Sequence, residues 1–277
     1  MNLLKRWFEF YIFANIHVAI ACYSLTRITY LHYNFQNEFL AFFVFFSTIL
    51  SYNLIRVVQL DSIKTMTSNW IAANKKGLIF LNAIAFSGML YCASKLNLHG
   101  FYTLMPFMLT TILYVLPAKN KSRGLRQVPG LKLFLISFTW AGVSVVFPLA
   151  EANLLELPDQ GLYFLQRFLF VLAITIPFDI RDSQFDHPEL ATLPQVLGID
   201  RAKVIAIAAI LGFLAIDIFL KDTNSVDFKI HVMIALITSF FIAFSSPLRK
   251  RFYTMFWVEA IPIVWYATLL VFDQGVF

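Results

Sequence analysis

Along the whole chain, stretches of about twenty residues almost free of charge recur, separated by short polar breaks. A hydrocarbon core about 30 Å thick takes about 20 apolar residues per helix, and a backbone in lipid must satisfy its own hydrogen bonds, so such stretches read as membrane-spanning helices. They lie near 8 to 31, 37 to 58, 75 to 96, 100 to 116, 130 to 150, 160 to 180, 202 to 220, 228 to 245 and 253 to 273. Pro117, Pro129, Pro158, Pro188, Pro194 and Pro247 mark the breaks, together with clusters of charge. The fold class is therefore an all-α integral membrane protein, a bundle of about nine transmembrane helices. Composition agrees: the chain is 59% hydrophobic and 14% charged, against about 45–50% and about 25% in soluble domains, which excludes a water-soluble globule. With no internal repeat or long linker, residues 1–277 read as a single domain. The first stretch follows Lys5 and Arg6 as a signal core would, but it is too long for one and carries Asn15, His17 and Arg27, so it reads as helix 1. Cys22 and Cys92 fall inside apolar stretches at no metal-binding spacing and read as packing residues.

Basic residues orient the bundle. With the N-terminus in the cytoplasm, only Lys95, Lys221 and Lys229 of the 22 Lys and Arg fall on the outer side, and Arg27 and Arg167 lie within helices. That split is what the positive-inside rule expects. The net charge of +6 then belongs to cytoplasmic loops, not to a nucleic-acid surface.

Where the sixth stretch meets the cytoplasm stand Asp179, Asp182 and Asp186, spaced to share one helix face. Crowded carboxylates need positive charge among them. Mg²⁺, held by carboxylates, water and substrate phosphates, is one source; a solvated acidic loop with Arg181 as internal partner is the other reading, of equal weight on spacing alone. Position favours the metal, since an acidic cluster at the mouth of a membrane bundle, facing basic loops, suits a Mg²⁺-diphosphate headgroup with its hydrocarbon tail between the helices.

The run Asp179-Ile180-Arg181-Asp182, then Asp186, Thr192-Leu193-Pro194 and Gly198, resembles the second aspartate-rich motif of the UbiA superfamily of intramembrane prenyltransferases. Tyr114, Pro117 and Lys119 after the fourth stretch resemble that family's Tyr and Lys more weakly. The resemblance implies a bundle around a lateral, lipid-facing cavity. It implies transfer of a prenyl group from a prenyl diphosphate to an aromatic or lipid acceptor, with Mg²⁺ on Asp179, Asp182 and Asp186. Asp182 would thus share in catalysis, and Lys119, Arg123, Arg126, Tyr114 and Arg181 are candidate substrate contacts. The chain departs from the pattern in the first motif. Ser51-Tyr52-Asn53-Leu54-Ile55-Arg56 keeps the Asn as Asn53 but lacks the aspartates after it. Arg56 would bind phosphate directly in their place, or is an ordinary basic residue at the inner interface. Leu190 and Ala191 also stand where many members carry a basic residue.

Ionisable residues at membrane depth are functional candidates because burying them alone is costly. At 1.5 Å per residue, Arg167 and Asp217 lie about 18 and about 22 Å from the inner ends of their helices and match in depth, as a structural pair. Glu259, about 10 Å deep by the same rise, is a candidate acceptor-site base or an interhelical hydrogen-bonding residue. Asn15 and His17 are candidates of the same two kinds. The leading reading is an enzyme of a prokaryotic plasma membrane, its site facing the cytoplasm. The alternatives are a non-catalytic UbiA-fold protein that binds an isoprenoid lipid or a partner, and a small transporter, which lacks support from any inverted repeat.

Overall fold

The computed structural model describes residues 3–59, 66–115, 130–156, 158–184, 191–220 and 225–273. Lys119, Arg123, Arg126 and Asp186 lie outside them, as does the side chain of Tyr114, whose backbone falls in the last turn of a described helix. Among the described residues the secondary structure is entirely helical.

The apolar stretches fold as α1 (Leu3–Phe13), α2 (Ile16–His32), α3 (Glu38–Gln59), α5 (Lys75–Ala93), α6 (Leu98–Val115), α7 (Leu131–Ala141) continued through a π-helical turn into α8 (Phe147–Glu151), α9 (Gln160–Asp182), α11 (Ile199–Phe219), α12 (Val226–Ala243), and a π-helical turn, Tyr253–Val258, leading to α13 (Ile261–Asp273). Two short helices, α4 (Met66–Ala73) and α10 (Leu193–Leu197), join them. Among the described residues seven helices are long and apolar enough to cross a membrane, and the α1–α2 pair taken as one span makes eight. Helix α6, 18 residues long, occupies the fourth of the nine stretches. The chain is an integral membrane protein.

The first stretch departs from a single straight helix. It breaks between α1 and α2 with a bend of 54°, and Asn15 at the break adopts the left-handed conformation, φ 63° and ψ 23°. Asn tolerates this region because its short polar side chain can hydrogen-bond locally, and the buried Asn15 amide finds partners on α3.

The helices pack into two large apolar bodies that share α2, with a third, small one of Ala19, Ile49 and Ala85. One gathers α9, α11, α12 and α13 around Phe170, Phe213 and Trp265, whose rings meet edge-on or tilted at 5.0 to 5.8 Å. The other gathers α2, α3, α5 and α6 around Tyr30, Leu40, Val44 and Phe147. Helix α6 crosses closely over the start of the π-helical turn that follows α7, at Gly142, where an added Cβ would stand 2.0 Å from the Phe107 ring. Small residues at such crossings let helices meet by van der Waals contact in lipid. Because α9 and α11 pack together with the chain reversing between them, the bundle has two polar ends, one marked by Asp179 and the other by Asp217.

Candidate functional site

At the Asp179 end, the carboxylates of α9 find cations separately. Asp179 is buried and accepts a hydrogen bond from Lys132 Nζ, on the first turn of α7, at 2.6 Å. Half-buried Asp182 accepts two from its neighbour Arg181, Nε to Oδ1 at 2.7 Å and a terminal nitrogen to Oδ2 at 2.6 Å. The other terminal nitrogen of Arg181 donates to Thr254 Oγ1 at 2.6 Å, and the guanidinium lies over the Phe178 ring at 5.2 Å. The expected shared face is thus divided between two ion pairs, and among the described residues no three His, Cys, Asp or Glu side chains gather at metal-binding distance. Like charges one turn apart repel, and each carboxylate is neutralised by the nearest cation. Arg181 is the internal partner of Asp182. Lys132, read only as part of the basic inner charge, emerges as the direct partner of Asp179.

Across the same end runs a chain of amides. Asn15 donates to Asn53 Oδ1 at 2.7 Å, Asn53 donates to Asn82 Oδ1 on α5 at 2.9 Å, and Arg56 donates to Asn15 Oδ1 at 3.0 Å and to the Phe13 carbonyl. The α1–α2 break leaves the last carbonyls of α1 without helical donors, and Arg56 supplies one. Asn53 and Arg56 are therefore brought together, and both hold the break in place. Asn82 was missed by sequence reasoning; its signal was a lone amide inside an apolar stretch. Half-buried Glu259, just past the π-helical turn, lies within electrostatic reach of Arg181 and Arg56. His17 Nε2 donates to the Phe256 carbonyl at 2.9 Å and Nδ1 shares a hydrogen bond with Tyr11 Oη at 2.6 Å, so both ring nitrogens are engaged.

Below this end, between α2, α3, α6 and α7, opens a cavity of about 530 Å³ walled mainly by apolar side chains such as Phe43, Phe107 and Trp140. Tyr52 Oη accepts from Trp140 Nε1 at 3.1 Å on its wall. The cavity reaches the polar end: Ser51, Tyr52 and Ile55 line it beside Asn53 and Arg56, and Ile136 lines it one turn beyond Lys132. At its rim Leu54, Met108 and Ile112 are exposed apolar side chains, which opens it sideways toward lipid.

The same helix arrangement occurs in solved structures. A UbiA homologue from Aeropyrum pernix aligns with a TM-score of 0.64 at 15% identity, over 96% of this chain and 98% of its own. The chain has the UbiA fold. A digeranylgeranylglyceryl phosphate synthase aligns with a TM-score of 0.54 at 16% identity, over 98% of each chain. No protein-family model and no curated protein sequence matches the chain.

Within the UbiA fold, the Thr-Leu-Pro-x-x-x-Gly tail has a structural use in this chain. Thr192 is the N-cap of α10, its N–H donating to Gln195 Oε1 at 3.0 Å, and Pro194 sits in the first turn. Gly198, at φ 85°, ends α10 and starts α11, in a region of backbone space that favours glycine. The tail is a reversal that returns the chain from the Asp179 end into α11.

Proposed function

We propose that the chain is a prenyltransferase of the UbiA superfamily that moves a prenyl group from a prenyl diphosphate to a hydrophobic acceptor within the membrane. The observation that carries this reading is an apolar, lipid-facing cavity meeting a polar end that bears Arg56, Lys132, Arg181, Asp179 and Asp182. An amphiphile with a hydrocarbon tail and an anionic head matches both parts. Asp179 and Asp182 offer only oxygen donors, which suits Mg²⁺ shared with phosphate oxygens, with Asp186 as a third candidate. Such an ion would neutralise the leaving diphosphate as the allylic C–O bond breaks. Lys132 and Arg181, released from the carboxylates, are placed to take up phosphate charge, and Arg56 adds a third cation. The allylic carbon then bonds to the acceptor's nucleophilic atom, whose proton passes to a base, for which Glu259 is the candidate. Lys119, Arg123, Arg126 and Tyr114 remain candidates on the adjoining loop.

Pyrophosphate release by purified protein, assayed with several prenyl diphosphates and acceptors, tests the reading. Release that depends on Mg²⁺ and stops on chelation is the expected result. A second reading, a non-catalytic protein that binds an isoprenoid lipid, draws on one observation: Arg56 and Asn53 already serve protein partners. It expects prenyl diphosphate to bind without pyrophosphate release. The site is proposed to face the cytoplasm of a prokaryotic plasma membrane. A cysteine replacing Ser183 is then labelled only from the cytoplasmic side and one replacing Glu156 only from the other.

A further inference from the structure

A second chamber lies at the opposite end of the bundle, where α2 ends, α9 and α12 begin and α13 ends. Its volume is about 210 Å³. At about 30 Å³ per water it has room for roughly seven waters, the bulk of a headgroup rather than of a single ion.

Its polar lining is asymmetric in what remains to be bound. Two of the carboxylates near it are already held: Asp217 accepts from Gln166 Nε2 at 2.8 Å and lies 3.0 Å from His231 Nδ1, and Asp227 lies 3.8 Å from His32 Nδ1; a third, Asp159, lies within electrostatic reach of Tyr33. The donors are less well served. Trp265, only 1% exposed, lines the chamber with an indole N–H that has no acceptor among the described residues, and the buried hydroxyl of Tyr33 likewise has no partner. Arg167, 6% exposed, donates from one terminal nitrogen to the Leu25 carbonyl at 2.5 Å and lays its guanidinium over Trp265 at 5.0 Å, with no carboxylate partner among the described residues. A buried donor left without an acceptor costs about 1–3 kcal/mol, and here the side chains that carry an indole, a phenol and a guanidinium all line one chamber. Exposed Val226 and Phe272 form an apolar part of the rim.

We propose that this chamber is a binding site for a singly charged phosphate group, as carried by the phosphodiester headgroup of a membrane lipid. Trp265 Nε1 and Tyr33 Oη donate to its oxygens, Arg167 supplies the counter-charge, and the acyl chains leave past Val226 and Phe272 into the bilayer. The nearby carboxylates of Asp159, Asp217 and Asp227 favour one negative charge over two. Free phosphate shares this chemistry and is the alternative source. The site is independent of prenyl transfer, since it lies at the other end of the bundle from the Asp179 cluster.

The test uses the full-length protein in a non-ionic detergent, with native mass spectrometry of added dioleoylphosphatidylglycerol, dioleoylglycerol as a control without phosphate, and thermal melting with inorganic phosphate. A phosphatidylglycerol adduct is expected that dioleoylglycerol does not form, its affinity falling about tenfold or more in Trp265→Phe and in Tyr33→Phe, the loss of one hydrogen bond to a charged group. Stabilisation by inorganic phosphate that both substitutions remove would support the site with a soluble ligand. Equal binding by all variants, or equal binding of the two lipids, would overturn it. Neither substitution removes a hydrogen bond within the chain, so both unliganded variants should melt close to the parent. A marked fall in both would assign these groups to the fold and also overturn the proposal.

Discussion

At the Asp179 end the ion pairs keep one partner near solvent: the Lys132 side chain is 20% exposed against buried Asp179, and Asp182 is 34% exposed against Arg181. At the Asp217 end the carboxylate is 1% exposed and its His231 partner 8%, with Gln166 closing the remaining side. Under the proposed function, the first arrangement would let a charged ligand displace a lysine or arginine, the released cation turning to the ligand. The second has no such freedom, and its hydrogen bonds tie α9, α11 and α12 together. Similar residue types thus form partly exposed ion pairs at one end and a closed, buried cluster at the other.

This contrast can be broken by paired substitutions. The largest effect belongs to Asp182→Asn, which should lower pyrophosphate release by three or more powers of ten, removing a metal-binding charge at the reacting bond. Its melting temperature should stay near the parent's, since the asparagine keeps an oxygen that accepts from Arg181, which also retains Thr254. An active Asp182→Asn protein would remove the proposed division of roles. Next in size, Arg56→Ala should cost about 10²–10³ in rate, the usual loss for one preorganised electrostatic contact. Because Arg56 also holds the Phe13 carbonyl, Arg56→Lys separates the two roles: recovery of stability without recovery of rate would mark the guanidinium as a phosphate contact.

At the other end the order should invert. Asp217→Asn should leave turnover within a few-fold of the parent but destabilise by about 2–3 kcal/mol, because His231 and Gln166 lose a buried charged acceptor; thermal melting in detergent measures it. A rate loss comparable to that of Arg56→Ala would erase the distinction between the ends. The smallest effect is expected at Gly142→Ala, where the new methyl must push the Phe107 ring aside. Overpacking of this kind costs about 1–3 kcal/mol. Since Phe107 also lines the large cavity, the variant should shift preference toward shorter prenyl chains, read as a change in relative kcat/KM across a chain-length series.

Much of this architecture was legible in the apolar periodicity. Lipid forces a backbone to satisfy itself within each helix, so helix positions are a local property; among the described residues seven of the nine stretches fold as helices long and apolar enough to cross a membrane, the fourth folds as the 18-residue α6, and the first breaks at Asn15. The break was hidden because one Asn in an apolar run carries no local signal, and its left-handed turn is stabilised by Asn53 and Arg56, distant in sequence. The pairing of charges was likewise not local. Matched depth put Arg167 with Asp217, but depth leaves the rotation of each helix open: Arg167 turns to Leu25 and Trp265, and Asp217 to Gln166 and His231. Lys132 finds Asp179 only because α7 packs against α9. The sequence alone determined that this chain spans a membrane, where its helices lie and which end carries the acidic motif, since hydropathy and spacing act along the chain. Which side chain neutralises which, and where the two cavities open, was decided by how the helices rotate and pack against one another.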